Sequence, residues 1–148
     1  MAIPAHDAYL ESKVLSADPL ELVRIMYQGA LEAVANARRR LAENDVLGRS
    51  REITRAHAIL TELALSLNHE AGGDLSRNLA ELYDYMQRRL LEAHLQQSDA
   101  PLAEVAKLLA TLLEGWNQCH PPGEAPGVEP QLVGLEPASE YVAQSWSA

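Results

Sequence analysis

The strongest constraint in this sequence is a set of four apolar stripes, each stepping by three and four residues and separated from the next by a short polar break. The first is Val23, Tyr27, Ala30, Val34, Ala37 and Leu41. The second is Ile53, Ala56, Leu60, Leu63 and Leu67. The third is Leu75, Leu79, Leu82, Met86, Leu90 and Ala93, and the fourth is Leu102, Val105, Leu109, Leu112 and Trp116. This spacing lines one side of a helix, whereas a strand would alternate at every second residue. The breaks are Asn44-Asp45, Ala71-Gly72-Gly73 and Ser98-Asp99-Ala100-Pro101. Connections this short force neighbouring helices to run antiparallel. The expected fold class is therefore all-α, an antiparallel up-down four-helix bundle.

Local signals set the expected boundaries. Asp18-Pro19-Leu20-Glu21 reads as a helix start: Asp18 caps, Pro19 fits the first turn, and Glu21 completes a capping-box-like spacing. The first helix is expected to run to about Glu43, the second from Val46 or Ser50 to Leu67, and the third from Asp74 to Gln96. Residues 1–17 read as a mobile or loosely packed N-terminal arm, and residues 18–119 as the bundle. Residues 120–148 read as a Pro/Gly-rich linker and acidic tail. All four charges of that tail are acidic (Glu124, Glu129, Glu136 and Glu140), while Leu132, Leu135, Val142 and Trp146 are apolar. It reads either as a disordered solubilising tail or as a short helix after Pro137 that occupies an apolar groove.

Composition narrows the function. The formal net charge is -9, which disfavours general nucleic-acid binding, because neutralising phosphates takes cations. Arginines nevertheless cluster at 38, 39, 40, 49, 51 and 55 against Glu43, Asp45 and Glu52, forming either a solvated surface or a dock for an acidic partner. Cys119 is the only cysteine, so neither an internal disulfide nor a cysteine-based zinc set can form. The opening residues have no basic start followed by an apolar run, and no stretch approaches the roughly 20 apolar residues of a membrane span. The expected location is the cytoplasm, without membrane insertion. Helical bundles hold di-metal sites through Glu-x-x-His pairs. The residues three places before His6, His57, His69, His94 and His120 are Ile3, Thr54, Ser66, Leu91 and Asn117, so that requirement is unmet. With no phosphate-binding glycine loop and no nucleophile elbow either, no catalytic residue, metal or cofactor is expected.

Apolar side chains outside the stripes are the unusual feature. At about 100° per residue, Ile25 points nearly opposite the Val23–Val34 stripe and Leu22 lies to one side of it. On the third helix Tyr85 shares a flank with Asn78, Leu82 and Arg89. Ile59, Leu65 and Leu108 are also off-stripe. Several together imply grooves that need a cover. The chain's own arm or tail, a second copy in a weak homodimer, or a foreign helix could provide it.

Two stretches carry a resemblance. Ser16-x-Asp18-Pro19-x-Glu21-Leu22-Val23-x-x-Met26-Tyr27-x-Gly29-Ala30 resembles the opening of the flagellar secretion chaperone family, commonly called FliS, with Gln28 where the family usually has an acid. Gly72-Gly73-x-Leu75-x-x-Asn78-Leu79-x-x-Leu82-Tyr83-Asp84-Tyr85-Met86-x-Arg88-Arg89-Leu90-x-Glu92-Ala93 resembles its central segment, and Trp116 also fits. The resemblance covers about residues 6–118. It implies a chaperone that holds the C-terminal segment of flagellin as short helices in apolar grooves, blocks premature polymerisation and helps present the subunit to flagellar type III export gate components. It also implies an N-terminal tyrosine that shifts on binding, for which Tyr9 is the candidate. The expected cargo-binding residues are Tyr9, Leu10, Leu22, Ile25, Asn78, Leu82, Tyr85 and Arg89. The alternative is a dimerising helical adaptor or regulatory protein without flagellin cargo.

Overall fold

The structure, a computed structural model, describes residues 18–122. The expected arm, with Tyr9 and Leu10, and the expected tail from residue 123 lie outside the described residues. Four helices follow one another: α1 (Pro19–Ala42), α2 (Val46–Leu65), α3 (His69–Gln96) and α4 (Asp99–Cys119). Three of the four starts are built by a local polar side chain; Ser98, before α4, makes no capping bond of this kind. Asp18 accepts the Glu21 amide at 2.9 Å, with Pro at the first position of α1. Asp45 accepts the Gly48 amide at 2.9 Å, and Asn68 accepts the amides of Glu70 and Ala71, both at 3.1 Å. The connections turn where the backbone enters the left-handed region, at Asn44 (φ 60°) and Gln97 (φ 53°).

Each helix packs on its neighbours in the ring α1–α2–α3–α4–α1. Side-chain pairs fix the directions. The first turns of α1 meet the end of α4 through Arg24 and Asn117 at 2.8 Å, and the end of α1 meets the start of α4 through Arg38 and Asp99 at 2.8 Å. Arg49 at the start of α2 reaches His94 near the end of α3 at 3.2 Å. Glu104, early in α4, takes the Tyr85 hydroxyl and the Arg89 guanidinium of α3, each at 2.6 Å. All four neighbours are therefore antiparallel or joined head to tail as an up-down bundle requires, and the expected fold class holds.

The interior is made by the stripes. Val23, Tyr27, Ala30, Val34 and Ala37 of α1 face Ile53, Ala56, Leu60 and Leu63 of α2, with Met86, Leu90, Ala93, Leu102, Val105 and Leu109 closing the core. One polar contact crosses the diagonal between α1 and α3: the Tyr27 and Tyr83 hydroxyls lie 2.6 Å apart, both rings at most 4% exposed. Burial raises both phenols above their ordinary value, Tyr83 the further of the two, so both stay protonated at neutral pH.

Two expectations need correction. Leu75 is 67% exposed, and the buried positions of α3 are Ser76, Tyr83, Met86, Leu90 and Ala93. These are spaced seven, three, four and three, the repeat of a supercoiled seam. The expected stripe drifted from that seam at its N-terminal end. Leu112 is half-buried rather than buried. In the register that sets Glu104 against Tyr85 and Arg89, it falls opposite Leu79, also half-buried, where the core thins towards Leu75. The expected Gly-Gly break is present: a short helical turn from His69 precedes it, the backbone leaves the helix at Gly73, and the long regular part of α3 runs on from Asp74 to Gln96. Gly73 has φ 56° and ψ -129°, a conformation open in practice to glycine alone. A Cβ on Gly72 would lie 2.8 Å from the Ser76 Cβ. Ser76 then joins the His69 ring across the kink at 2.9 Å.

Candidate binding seams

The expected binding residues fall on two separate seams on opposite sides of the bundle. On α1, Leu22 and Ile25 are half-buried and share a flank with Gly29 and Asn36. That flank faces α2, because a Cβ on Gly29 would meet the Ile59 side chain at 3.4 Å and Asn36 reaches Glu52 at 3.4 Å. Asn78, Leu82, Tyr85 and Arg89 occupy the flank of α3 that faces α4. Asn78 is exposed, while Leu82, Tyr85 and Arg89 are half-buried. Helices α1 and α3 stand at a diagonal, so the two groups do not line one groove. Tyr9 and Leu10 lie outside the described residues.

The α3–α4 seam has a polar end and an apolar end. At the polar end Glu104 accepts from the Tyr85 hydroxyl and from Arg89 Nε, and Arg89 also donates to Glu92 at 2.7 Å. The Tyr85 hydrogen bond, followed by the Arg89 one, holds the Glu104 carboxyl below its usual value, and the same bond raises the Tyr85 phenol. Arg88 lies over the Tyr85 ring at 6.0 Å. Tyr85 is thus fixed from two sides while its ring remains part-exposed. At the apolar end Leu79, Leu82, Leu108 and Leu112 pack on the core from its rim, and Leu75 projects beyond them. Across the bundle, the Trp116 and His120 rings meet at a tilt of 48° with centroids 4.4 Å apart. Arg24, only 6% exposed, is held there by Glu21, Asn117 and the His120 carbonyl.

Among the described residues no three His, Cys, Asp or Glu side chains come together as a metal ion would need. The arginine cluster is largely engaged within the chain: Arg38 with Asp99, Arg40 with Glu43 and Asp45, and Arg55 with Glu32 and Glu52. The arrangement offers half-open apolar seams with fixed aromatic and charged side chains, which is the equipment of a binding surface.

The whole of this bundle, with residues 1–122, matches the model of the family described as flagellar protein FliS. The chain belongs to the FliS family. It is 39% identical over 113 residues to the flagellar secretion chaperone FliS of Salmonella typhimurium, covering 76% of this chain and 84% of that protein. Flagellar secretion chaperone FliSB of Pseudomonas aeruginosa is 35% identical over 108 residues (73% and 86%), and FliS of Escherichia coli 33% over 110 residues (74% and 81%). This FliS-family chain is accordingly a flagellar export chaperone by kinship. Its residues 123–148 lie beyond the matched region.

Sequence reasoning missed four participants: Glu104, Tyr83, Arg24 and Ser76. Tyr83 and Ser76 were within reach, since a seven-residue step back from Leu90 lands on Tyr83 and a second on Ser76. Glu104 and Arg24 act across helix pairs, and no local pattern gives the register between helices.

Proposed function

We propose that the chain acts in the cytoplasm as an export chaperone that binds the C-terminal region of flagellin, keeps it from polymerising and helps deliver it to the flagellar type III export apparatus. Family membership supports the chaperone class, and the half-open α3–α4 seam carries the cargo assignment. There Leu75, Leu79, Leu82 and Leu108 form an apolar strip ending in Tyr85, whose ring is already held by Glu104 and Arg88. A cargo helix laid along the strip buries its apolar face and gains a rigid aromatic contact with few rotors left to order. The α1–α2 seam, with Leu22 and Ile25, receives a second part of the same segment, and an arm bearing Tyr9, Leu10 and Val14 covers it when cargo is absent. Coupled folding of the cargo costs a few kcal/mol, which keeps the affinity adjustable and release feasible. No covalent chemistry is needed: the polymerising surface is blocked because it is occupied.

The test is titration of the purified chain with flagellin and with flagellin lacking its C-terminal segment. Binding of the intact form alone is expected. Equal binding of both, or a chain that only pairs with itself, would replace the proposal with the dimerising adaptor. Deleting residues 1–15 is expected to change cargo affinity and promote self-association, and unchanged values of both would remove the arm from the account.

A further inference from the structure

A second apolar surface lies on the outer face of α3, where Leu91 and Leu95 line one open cavity with Tyr85, Arg88, Arg89 and Glu92; the flagellin proposal uses Tyr85 of that cavity but neither leucine. The Arg49–His94 contact sets the register between α2 and α3, and Gln87 continues it by reaching the His57 carbonyl at 3.0 Å and the Thr61 hydroxyl at 2.8 Å. In that register Leu47 stands across from Leu95, with Leu91 one turn away on the same rim. Leu47 is 71% exposed, Leu95 80% and Leu91 49%. Leucines this exposed on facing rims form an apolar shelf along the outside of the α2–α3 seam. The shelf is flanked by cations. Arg51 is exposed and has no ion pair among the described residues, and Arg88, its side chain 66% exposed, is ion-paired only with Asp84 of its own helix. The carboxylate at its other edge, Glu92, is taken by Arg89.

We propose that this shelf is the docking site for the chain's own C-terminal segment, residues 131–148. Charge is the first argument. The charges of residues 123–148 are Glu124, Glu129, Glu136 and Glu140, all acidic, which suits a shelf edged by Arg51 and Arg88. Pattern is the second: Leu132, Leu135, Val142 and Trp146 supply the large apolar side chains that the shelf can cover. Reach is the third. The 21 residues of α4 span about 31 Å, so the tail leaves the end of the bundle opposite the shelf. The shelf lies some two helix spacings, roughly 20 Å, to the side. That makes a path of about 37 Å. Residues 123–135 span up to about 43 Å when extended, which brings Leu135 to Leu91 and carries the rest towards Leu95 and Leu47. Tethering at this range gives an effective concentration of about a millimolar, so a weak contact fills the shelf.

The full chain tests this by paramagnetic relaxation. A nitroxide is placed at Ser147→Cys in a Cys119→Ser background, and amide signals are compared with those of the reduced label. Broadening is expected around Leu47, Leu91 and Leu95, several-fold stronger than around Leu108 and Thr111. It should vanish in Leu47→Asp/Leu95→Asp and weaken in Glu136→Lys/Glu140→Lys, with the amides of Met86 and Leu90 unmoved as the check on folding. Broadening centred on the α3–α4 seam, or spread evenly, overturns the proposal. So does broadening that persists when the labelled chain carries no nitrogen-15 and an unlabelled copy reports, because a second copy would then be the occupant.

Discussion

The Tyr27–Tyr83 pair gives the most exacting check of the packing. Their hydroxyls lie 2.6 Å apart on opposite helices of the bundle, and the rings are 4% and 2% exposed. Replacing either tyrosine by Phe removes one oxygen and strands the other away from water. A buried hydroxyl without a partner costs about 1–3 kcal/mol, beyond what a net hydrogen bond is worth. Replacing both leaves two apolar rings of nearly unchanged shape, and that change is close to neutral. Tyr27→Phe and Tyr83→Phe are therefore each expected to destabilise by about 1–3 kcal/mol, a fall of several degrees in Tm for a bundle of this size. The double variant is expected to fall by no more than either single one. Urea unfolding of the four proteins closes the cycle, with a coupling at least as large as the smaller single-variant loss, so about 1 kcal/mol or more. Two single changes below about 0.5 kcal/mol that simply add would refute the buried diagonal contact.

Leu63, 1% exposed, is expected to cost about 2–5 kcal/mol when cut to Ala, and half-buried Leu112 roughly half of that, both read from denaturant midpoints. Gly73→Ala is expected to cost about 1–3 kcal/mol through backbone strain alone, since a Cβ there would meet nothing within 4 Å. Tyr85→Ala is expected to weaken flagellin binding about fivefold or more while barely moving Tm, and a melted bundle would instead make Tyr85 a core residue. His120 is pushed below its ordinary value of 6.5 by burial and then by the Arg24 charge. The unfolded chain therefore takes the proton first, and the stability this provides is full above 6.5 and lost as pH falls below it. Melting curves at descending pH should show that loss in the natural chain and not in His120→Gln.

The fold was legible because each helix announces itself locally. Val23 to Ala37 and Ile53 to Leu63 keep a strict three-four step, and Asp18, Asp45 and Asn68 cap where short polar side chains belong. What failed, failed for want of register. Leu75 satisfies a straight-helix count as well as Ser76 does, and only the supercoiled seam separates them, leaving Leu75 outside and Ser76 at 3% exposure. The binding flank was half legible in the same sense. Tyr85 and Arg89 share a face by spacing, but that the face looks onto Glu104 depends on how α3 and α4 slide past each other.

That missing partner bears on how the seam can work. A free surface tyrosine and arginine would each have to be ordered when a cargo helix arrived, at about 0.5–1.5 kcal/mol for each side chain. Here Glu104 accepts from both before any cargo is present, and Arg88 lies against the other side of the ring. Under the proposed function the chaperone side of the contact is therefore prepared, and the ordering cost falls on flagellin. A chaperone built this way can hold a weakly structured segment without binding it irreversibly. The rigid partner supplies shape, the apolar strip from Leu75 to Leu108 supplies the driving force, and the cost of folding the cargo keeps the sum small enough for release.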